Sequence, residues 1–124
     1  MNKSKKSVAV CFLVFATLAA KAQNAVADWD AISLNTIVTL GLKPPSSAPI
    51  FFAYVDGAVY DAVNSITRQH HALAVSVDAP RRASVDAAVV ASAHDILVHY
   101  FPAQVTPLNA AESASLDAIG YSPG

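Results

Sequence analysis

The side chains best suited to bind a metal ion are the four histidines, two of which lie on one predicted helix. His94 and His99 are five residues apart, which places their rings about 140° apart around a helix that turns about 100° per residue. Ligands on one helix need steps of three or four residues to face the same metal. We therefore predict no metal site here, and we expect one interface histidine and one solvated histidine.

Three polar side chains, Asp56, Asp61 and Asn64, interrupt the otherwise apolar stretch from Ala48 to Ile66. Asp56 and Asp61 are five residues apart, so on a helix they diverge and cannot form an acid–base pair. Asp61 and Asn64 are three apart and share a face, and burying them is costly unless each finds a hydrogen-bond partner. We predict that Asp61 and Asn64 form a structural polar lock, and we assign no catalytic, cofactor-binding or metal-binding residue.

A second polar cluster, Arg68 with His70 and His71, follows this stretch. A guanidinium and two imidazoles have the charge to bind an oxyanion, but no glycine-rich nest or second anion-binding cluster lies near them in the sequence. An exposed polar loop is the favoured interpretation. The sequence also contains no Gly-x-Ser-x-Gly elbow and no phosphate-binding glycine loop.

The helices that position these side chains are predicted from apolar spacing and helix breakers. Ala48 to Ile66 repeats apolar residues at steps of three and four, with Ser46 or Ser47 as its cap and Pro49 in its first turn, and it is expected to be the central packing helix. Three other helices are predicted. The first runs from Asp28 or Asp30 to about Leu40, and its candidate core residues are Trp29, Ile32, Leu34, Ile37, Val38 and Leu40. The next begins between Asp78 and Ser84 and ends at about Tyr100, and the last begins at a cap at Thr106-Pro107 and ends at Gly120. Residues 67–79 are expected to be a loop. The predicted fold class is all-α, with about four helices in a bundle.

Residues 1–27 have the pattern of a secretory signal peptide. Three lysines at positions 3, 5 and 6 precede an almost wholly apolar run from Val8 to Ala20. That run is shorter than the roughly 20 residues needed to span a bilayer, so no stable membrane anchor is expected. Small-x-small cleavage motifs end at Ala22 and at Ala27, and the second is favoured. The predicted organisation is a signal peptide over 1–27 and a secreted or periplasmic helical segment over 28–124.

The segment after Ala27 is acidic. It retains four lysine and arginine residues against nine carboxylates, a net charge of −5. Nucleic-acid surfaces need clustered cations, so no nucleic-acid partner is expected. The only cysteine, Cys11, lies in the predicted signal peptide. The exported segment would therefore have no thiol for a disulfide, a thiolate metal site or a nucleophile.

Four runs of sequence resemble one enzyme family: Trp29 to Leu34, Ala58 to Ile66, Ala87 to Leu97, and Tyr100 to Gln104. They are similar to the N-terminal helices of bacterial vanadium-dependent haloperoxidases, which are relatives of the type-2 phosphatidic acid phosphatases. The element from Tyr60 to Asn64 is the more specific part, because the alanine-rich third helix would match many helical proteins.

The resemblance implies a helical bundle that holds vanadate or phosphate through a Lys, an Arg-Pro element, a Pro-Ser-Gly-His element, and a later Arg and His. Such enzymes oxidise halide with hydrogen peroxide or hydrolyse phosphate esters. This sequence has no Arg-Pro or Pro-Ser-Gly-His element, so no family catalytic residue is carried over. The implied role is the leading scaffold part of a larger helical-bundle enzyme, inactive alone, with the missing C-terminal catalytic portion as its partner. The alternative hypothesis is a complete small secreted helical module that works by binding or self-association and has no enzymatic activity.

Overall fold

Four α-helices follow one another along residues 24–121, the part of the chain described by the computed structural model. Their bounds are α1 Ala25–Leu34, α2 Ala48–Thr67, α3 Val85–Tyr100 and α4 Val105–Ala118, with a π-helical turn at Asn35–Leu40 and a 3₁₀ turn at Pro102–Gln104. No strand occurs within this range. The predicted all-α bundle of about four helices is confirmed.

α1 begins earlier than the sequence predicts. The Asn24 side chain accepts a hydrogen bond from the Ala27 N–H at 3.3 Å, so Asn24 rather than Asp28 or Asp30 is the N-cap. Asp28 lies in the first turn, where a negative charge favours the helix dipole. The predicted signal peptide lies outside the described residues except for the cap and first turn of α1.

The buried face of α1 also differs from the prediction. Trp29 and Ile37 are buried as expected, but Ser33 and Thr36 complete the buried face, and Leu34 is 54% exposed. Val38 and Leu40 are also exposed, so the prediction that they belong to the core is wrong. The reason is helical phase, since Trp29, Ser33 and Ile37 follow one another at four-residue steps. Two hydroxyl side chains are therefore buried although three expected apolar ones, Leu34, Val38 and Leu40, are not, and the Ser33 Oγ has no hydrogen-bond partner within residues 24–121.

α2 starts directly after Ser47, one of the two predicted cap residues, but the Ser47 side chain does not form the predicted capping hydrogen bond. Ser47 occupies the N-cap position without a side-chain cap bond, and Pro49 lies in the first turn. The helix ends at Arg68, whose left-handed backbone directs its N–H to the Asn64 carbonyl at 2.7 Å. The first turn thus relies on the proline rather than on a serine cap.

The ends of α3 and α4 follow the sequence in part. Ser84 caps α3 by accepting the Ala87 N–H at 3.1 Å. The predicted cap at Thr106 is wrong, because the 3₁₀ turn leads the chain into α4 at Val105 without a side-chain cap. Gly120, at φ 67°, ends α4 with the Tyr121 N–H bonded to the Leu116 carbonyl at 2.9 Å, which is the Schellman arrangement.

The core lies along α3 rather than along α2. Val89, Val90, Ala93 and Leu97 are at most 2% exposed, and α3 packs against each of the other three helices. α2 was expected to be the central packing helix, and this is wrong because much of its apolar face is only half-buried. None of the helices within residues 24–121 combines the length and hydropathy needed to cross a membrane.

Candidate functional site: a polar lock beside an open groove

The Asp61 carboxylate is the centre of the polar lock. It accepts the Leu73 N–H at 2.7 Å on one oxygen, and the Ala74 and Val75 N–H groups at 2.9 and 2.8 Å on the other. Asp61 is only 7% exposed. The N–H groups of Val75, Leu73 and Ala74 hold the pKa of Asp61 below its ordinary value, against the opposing effect of burial. These three hydrogen bonds offset the cost of burying the Asp61 carboxylate, and they hold residues 73–75 against α2.

Asn64 makes the other half of the lock, one turn further along α2. Its Oδ1 accepts the His70 N–H at 2.9 Å, and its Nδ2 donates to the His70 carbonyl at 2.7 Å. Both polar atoms of the amide are therefore satisfied by one residue of the loop. Tyr60 adds a further bond, with its hydroxyl donating to the His71 carbonyl at 3.1 Å. Together these side chains hold residues 70–75 against α2.

The held loop carries a row of exposed apolar side chains. Leu73, Val75 and Val77 are 69%, 57% and 59% exposed, and all three border the same cavity beside α2. This apolar rim is fixed to α2 by backbone bonds rather than by its own burial. Sequence reasoning assigned a loop here, and the alternation of apolar residues was the signal for its exposed row.

An open groove of about 1150 Å³ lies between α2 and α3, with the apolar rim along one side. We call it the α2–α3 groove. Its walls are mostly small side chains: Ala53, Gly57, Ala58 and Ala62 of α2, and Ala87 and Ala91 of α3. The stacked rings of Tyr54 and Tyr100, 5.1 Å apart, also line it. Sequence reasoning missed this groove, because helical periodicity shows that a face is apolar without showing what covers it.

Among residues 24–121, two charged side chains line the α2–α3 groove, Asp61 and Arg82. The Asp61 carboxylate is already bonded to three backbone N–H groups. Arg82 lies two residues before the Ser84 cap of α3 and forms no ion pair within residues 24–121. Asp61 therefore contributes a negative charge that backbone N–H groups hold, Arg82 contributes a positive charge at one end, and the other described lining residues are uncharged.

The Arg68, His70 and His71 cluster is largely occupied by contacts within the chain. The Arg68 guanidinium pairs with the Asp78 carboxylate and donates to the Ala79 carbonyl at 3.0 Å. The His70 ring stacks on Tyr60 with centroids 6.5 Å apart. The cation that an oxyanion would need is thus already neutralised, in agreement with the interpretation of this cluster as a polar loop.

Vanadate, the group implied by the family resemblance, is not matched by the residues described. An oxyanion needs several converging cations or N–H donors. Lys43 instead lies over aromatic rings, with its Nζ 5.0 Å from the centre of Phe51 and 5.9 Å from that of Phe101. Arg68 is paired with Asp78. Within residues 24–121 no group of three or more metal-ligating side chains is found either.

His94 joins α3 to α4. One ring nitrogen lies 2.8 Å from the Asn109 Oδ1 and 3.5 Å from a Glu112 carboxylate oxygen, and the other lies 3.1 Å from Asp95. Trp29 of α1 meets the ring edge-on. Burial lowers the pKa of His94, but the bonds to Asn109 and Asp95 and the charges of Glu112 and Asp95 together raise it above its ordinary value.

The His94 contacts predict that stability falls as pH rises through neutrality. A raised pKa in the folded state contributes stability that is fully present below the ordinary value of 6.5 and is lost as pH rises through the folded-state value. We expect the melting temperature to drop as pH rises above about 6.5 in wild type and to change less in His94→Gln. His71→Gln, at an exposed position, is the matched control. Identical pH profiles for wild type and His94→Gln would contradict the assignment.

Asp56 faces a second cavity, of about 550 Å³, between α1 and α2. Burial and the neighbouring charge of Asp30 raise the pKa of Asp56 above its ordinary value of 3.8. The ionised carboxylate is therefore unfavourable in the folded state at neutral pH, and this cost disappears as pH falls below about 4. Asp56 lines the cavity beside α1, whereas Asp61 binds the loop at Leu73, so the two carboxylates diverge as their five-residue spacing predicted.

Removing this charge should stabilise the chain. We expect Asp56→Asn to raise the melting temperature at pH 7 and to leave it unchanged near pH 3, where the wild-type carboxyl is protonated. Asp30→Asn should give a smaller gain, because the neighbouring charge is the lesser of the two causes. Thermal melts at the two pH values measure both effects, and an equal gain at pH 3 and pH 7 would show that charge is not the cause.

Comparisons with known proteins identify no relative: no protein-family model, curated protein or solved structure matches this chain significantly.

Proposed function

We propose that this chain is the exported, leading helical segment of a haloperoxidase-like or acid-phosphatase-like protein. It serves as scaffold and has no activity of its own. The observation that carries the proposal is the open α2–α3 groove, whose apolar walls and rim remain uncovered by the rest of residues 24–121. Exposed apolar surfaces of this kind are typical of sites where another polypeptide, a membrane or a ligand packs, and a polypeptide is the partner that the scaffold role requires.

The sequence supports a scaffold rather than a catalytic role. The runs that resemble the haloperoxidase helices fall within the helical part of the chain, while the Arg-Pro and Pro-Ser-Gly-His elements that hold the oxyanion are absent. We propose that vanadate or phosphate binds in the catalytic portion, and that this segment supplies the helices against which that portion packs.

The test is the coding sequence downstream of Gly124. It is read in every frame for Arg-Pro and Pro-Ser-Gly-His elements, and the encoded polypeptide is co-expressed with this chain. We expect a stable one-to-one complex that binds vanadate, while this chain alone does not. A chain that is a stable, cooperatively unfolding oligomer by native mass and melting, with no such elements downstream, would favour the secreted binding module instead.

Export is the second part of the proposal, and intact mass of the secreted chain tests it. Cleavage after Ala27 would remove Asn24, which caps α1, and Ala25, which is only 5% exposed. Cleavage after Ala22 would keep both. We therefore expect the exported chain to begin at Gln23, and a chain beginning at Asp28 would show that α1 can lose its first turn.

A further inference from the structure

Resting on the proposed scaffold role, we infer that the α2–α3 groove is a helix-binding site. Its occupant is an apolar α-helix that crosses α2 at Gly57 and places a carboxylate beside Arg82. The inference rests on four features of the groove: its size, its surface relief, its charge distribution and the open space at Gly57.

The size of the groove suits a helix. Its volume of about 1150 Å³ equals about 15 Å, or about ten residues, of a helix roughly 10 Å in diameter. Sites for small molecules are smaller, about 300–1,000 Å³, and carry convergent polar groups. Here the carboxylate of Asp61 already binds three backbone N–H groups. The groove therefore offers packing surface rather than directed hydrogen bonds.

The side chains of α2 that line the groove have the arrangement needed for packing against another helix. Two rows of α2 residues at four-residue steps line the groove: Ala53, Gly57 and Asp61 in one row, and Tyr54, Ala58 and Ala62 in the other. Such rows form the ridges between which the side chains of another helix pack. Because most of these side chains are small, a helix axis can approach closely.

Gly57 marks the point of closest approach. It lies in the middle of α2, where glycine costs helix stability, and a Cβ built on it meets no atom within 4 Å. Packing within residues 24–121 therefore gives no reason for glycine at this position. A second backbone crossing at Gly57 would use the space that a side chain would otherwise fill.

The positive charge of Arg82 determines at which end the bound helix should carry a carboxylate. Among residues 24–121, Arg82 is the one cation that lines the groove, and it forms no ion pair there. It also precedes the N-terminus of α3, whose dipole adds positive potential at the same end. A carboxylate at that end of the bound helix is favoured, and further carboxylates along its length are disfavoured because they would face alanine walls and the Asp61 carboxylate.

The test uses capped alanine- and leucine-rich peptides of about 15 residues, the length at which an isolated helix is marginal in water. One peptide has a glutamate at one end and its match has a lysine there, and fluorescence anisotropy measures their binding to the chain. We expect wild type to prefer the glutamate peptide and Arg82→Glu to prefer the lysine peptide. Gly57→Leu should weaken both by roughly tenfold or more, because a bulky side chain is forced into a packed contact.

Ala110→Leu, an exposed position on α4 outside the groove, is the matched control and should bind like wild type. Circular dichroism melts confirm that each variant is folded. The inference is overturned if neither peptide binds, if Gly57→Leu and Ala110→Leu bind alike, or if sedimentation shows a dimer of the chain that Gly57→Leu dissociates. That last result would identify the occupant as a second copy.

The outcomes also separate this inference from the proposed function. A vanadate-binding complex with the downstream polypeptide that is insensitive to Gly57→Leu would leave the scaffold role intact and refute the helix site. Peptide binding with the expected variant effects, but without catalytic elements downstream, would support the helix site and refute the scaffold role.

Discussion

Replacing Asp61 with alanine should lower the melting temperature by roughly 5–15 °C, one of the two largest effects we expect from single substitutions in this chain. The change leaves the backbone N–H groups of Leu73, Ala74 and Val75 without their acceptor. Thermal unfolding followed by circular dichroism measures the change. Limited proteolysis should show faster cleavage within residues 70–79, because the loop loses its attachment to α2.

Asp78→Ala is the matched control for the Asp61 prediction. Asp78 is an exposed carboxylate paired with Arg68, and exposed ion pairs contribute little to stability. The Asp61 contribution should also depend on pH. Because its pKa is lowered in the folded state, the stabilisation is present above its ordinary value of 3.8 and is lost as pH falls through the lowered value. Equal melting curves for Asp61→Ala and Asp78→Ala would mean that the lock does not stabilise the fold.

Replacing Gly41 with alanine should destabilise the chain by about 1–3 kcal/mol or more, through overpacking. The added Cβ would lie 2.6 Å from a Phe101 ring carbon, 2.6 Å from the Thr36 carbonyl oxygen and 2.8 Å from the Ile37 carbonyl oxygen. The two oxygens belong to the π-helical turn and cannot move without disturbing its hydrogen bonds, since Gly41 donates its own N–H to the Thr36 carbonyl at 2.8 Å.

Gly57→Ala is the control, and its expected effect has the opposite sign. Gly57 is in the middle of α2, where alanine is favoured over glycine by about 0.5–1 kcal/mol, and the new methyl group meets no atom within 4 Å. Chemical denaturation of both variants measures the free energy of unfolding. The steric argument is refuted if the two glycines respond alike.

The sequence predicted those parts of the fold that depend on local spacing. Pro49, the Ser84 cap and the Gly120 stop identify helix ends because each acts within one turn. The spacing of Asp61 and Asn64 correctly placed them on one face, but their loop partners, 6 to 14 residues further on, are not visible in any helical period. The pattern of apolar residues also did not predict which face of α1 is buried, because Ser33 is buried and Leu34 is exposed.

The candidate groove was even less accessible to sequence reasoning. An apolar stripe on a helix predicts that this face is buried. Whether the apolar face of α2 is covered depends on which other elements pack against it, and the sequence of α2 does not specify those elements. The close packing at the end of the π-helical turn was also not visible in the sequence, because a side chain at Gly41 would meet Phe101, a residue 60 positions further along the chain.

The polar lock has a consequence for the order of folding. Its bonds from Asp61 join residues 12 to 14 apart, so the loop they close is short and its closing entropy is small. Contacts of such low sequence separation form quickly, on the scale of loop closure rather than of bundle assembly. We therefore expect α2 and residues 70–75 to associate before the longer-range contacts of α3 with α1 form. In that order, the side of the α2–α3 groove that Leu73 and Val75 line would be fixed before α3 completes the other side.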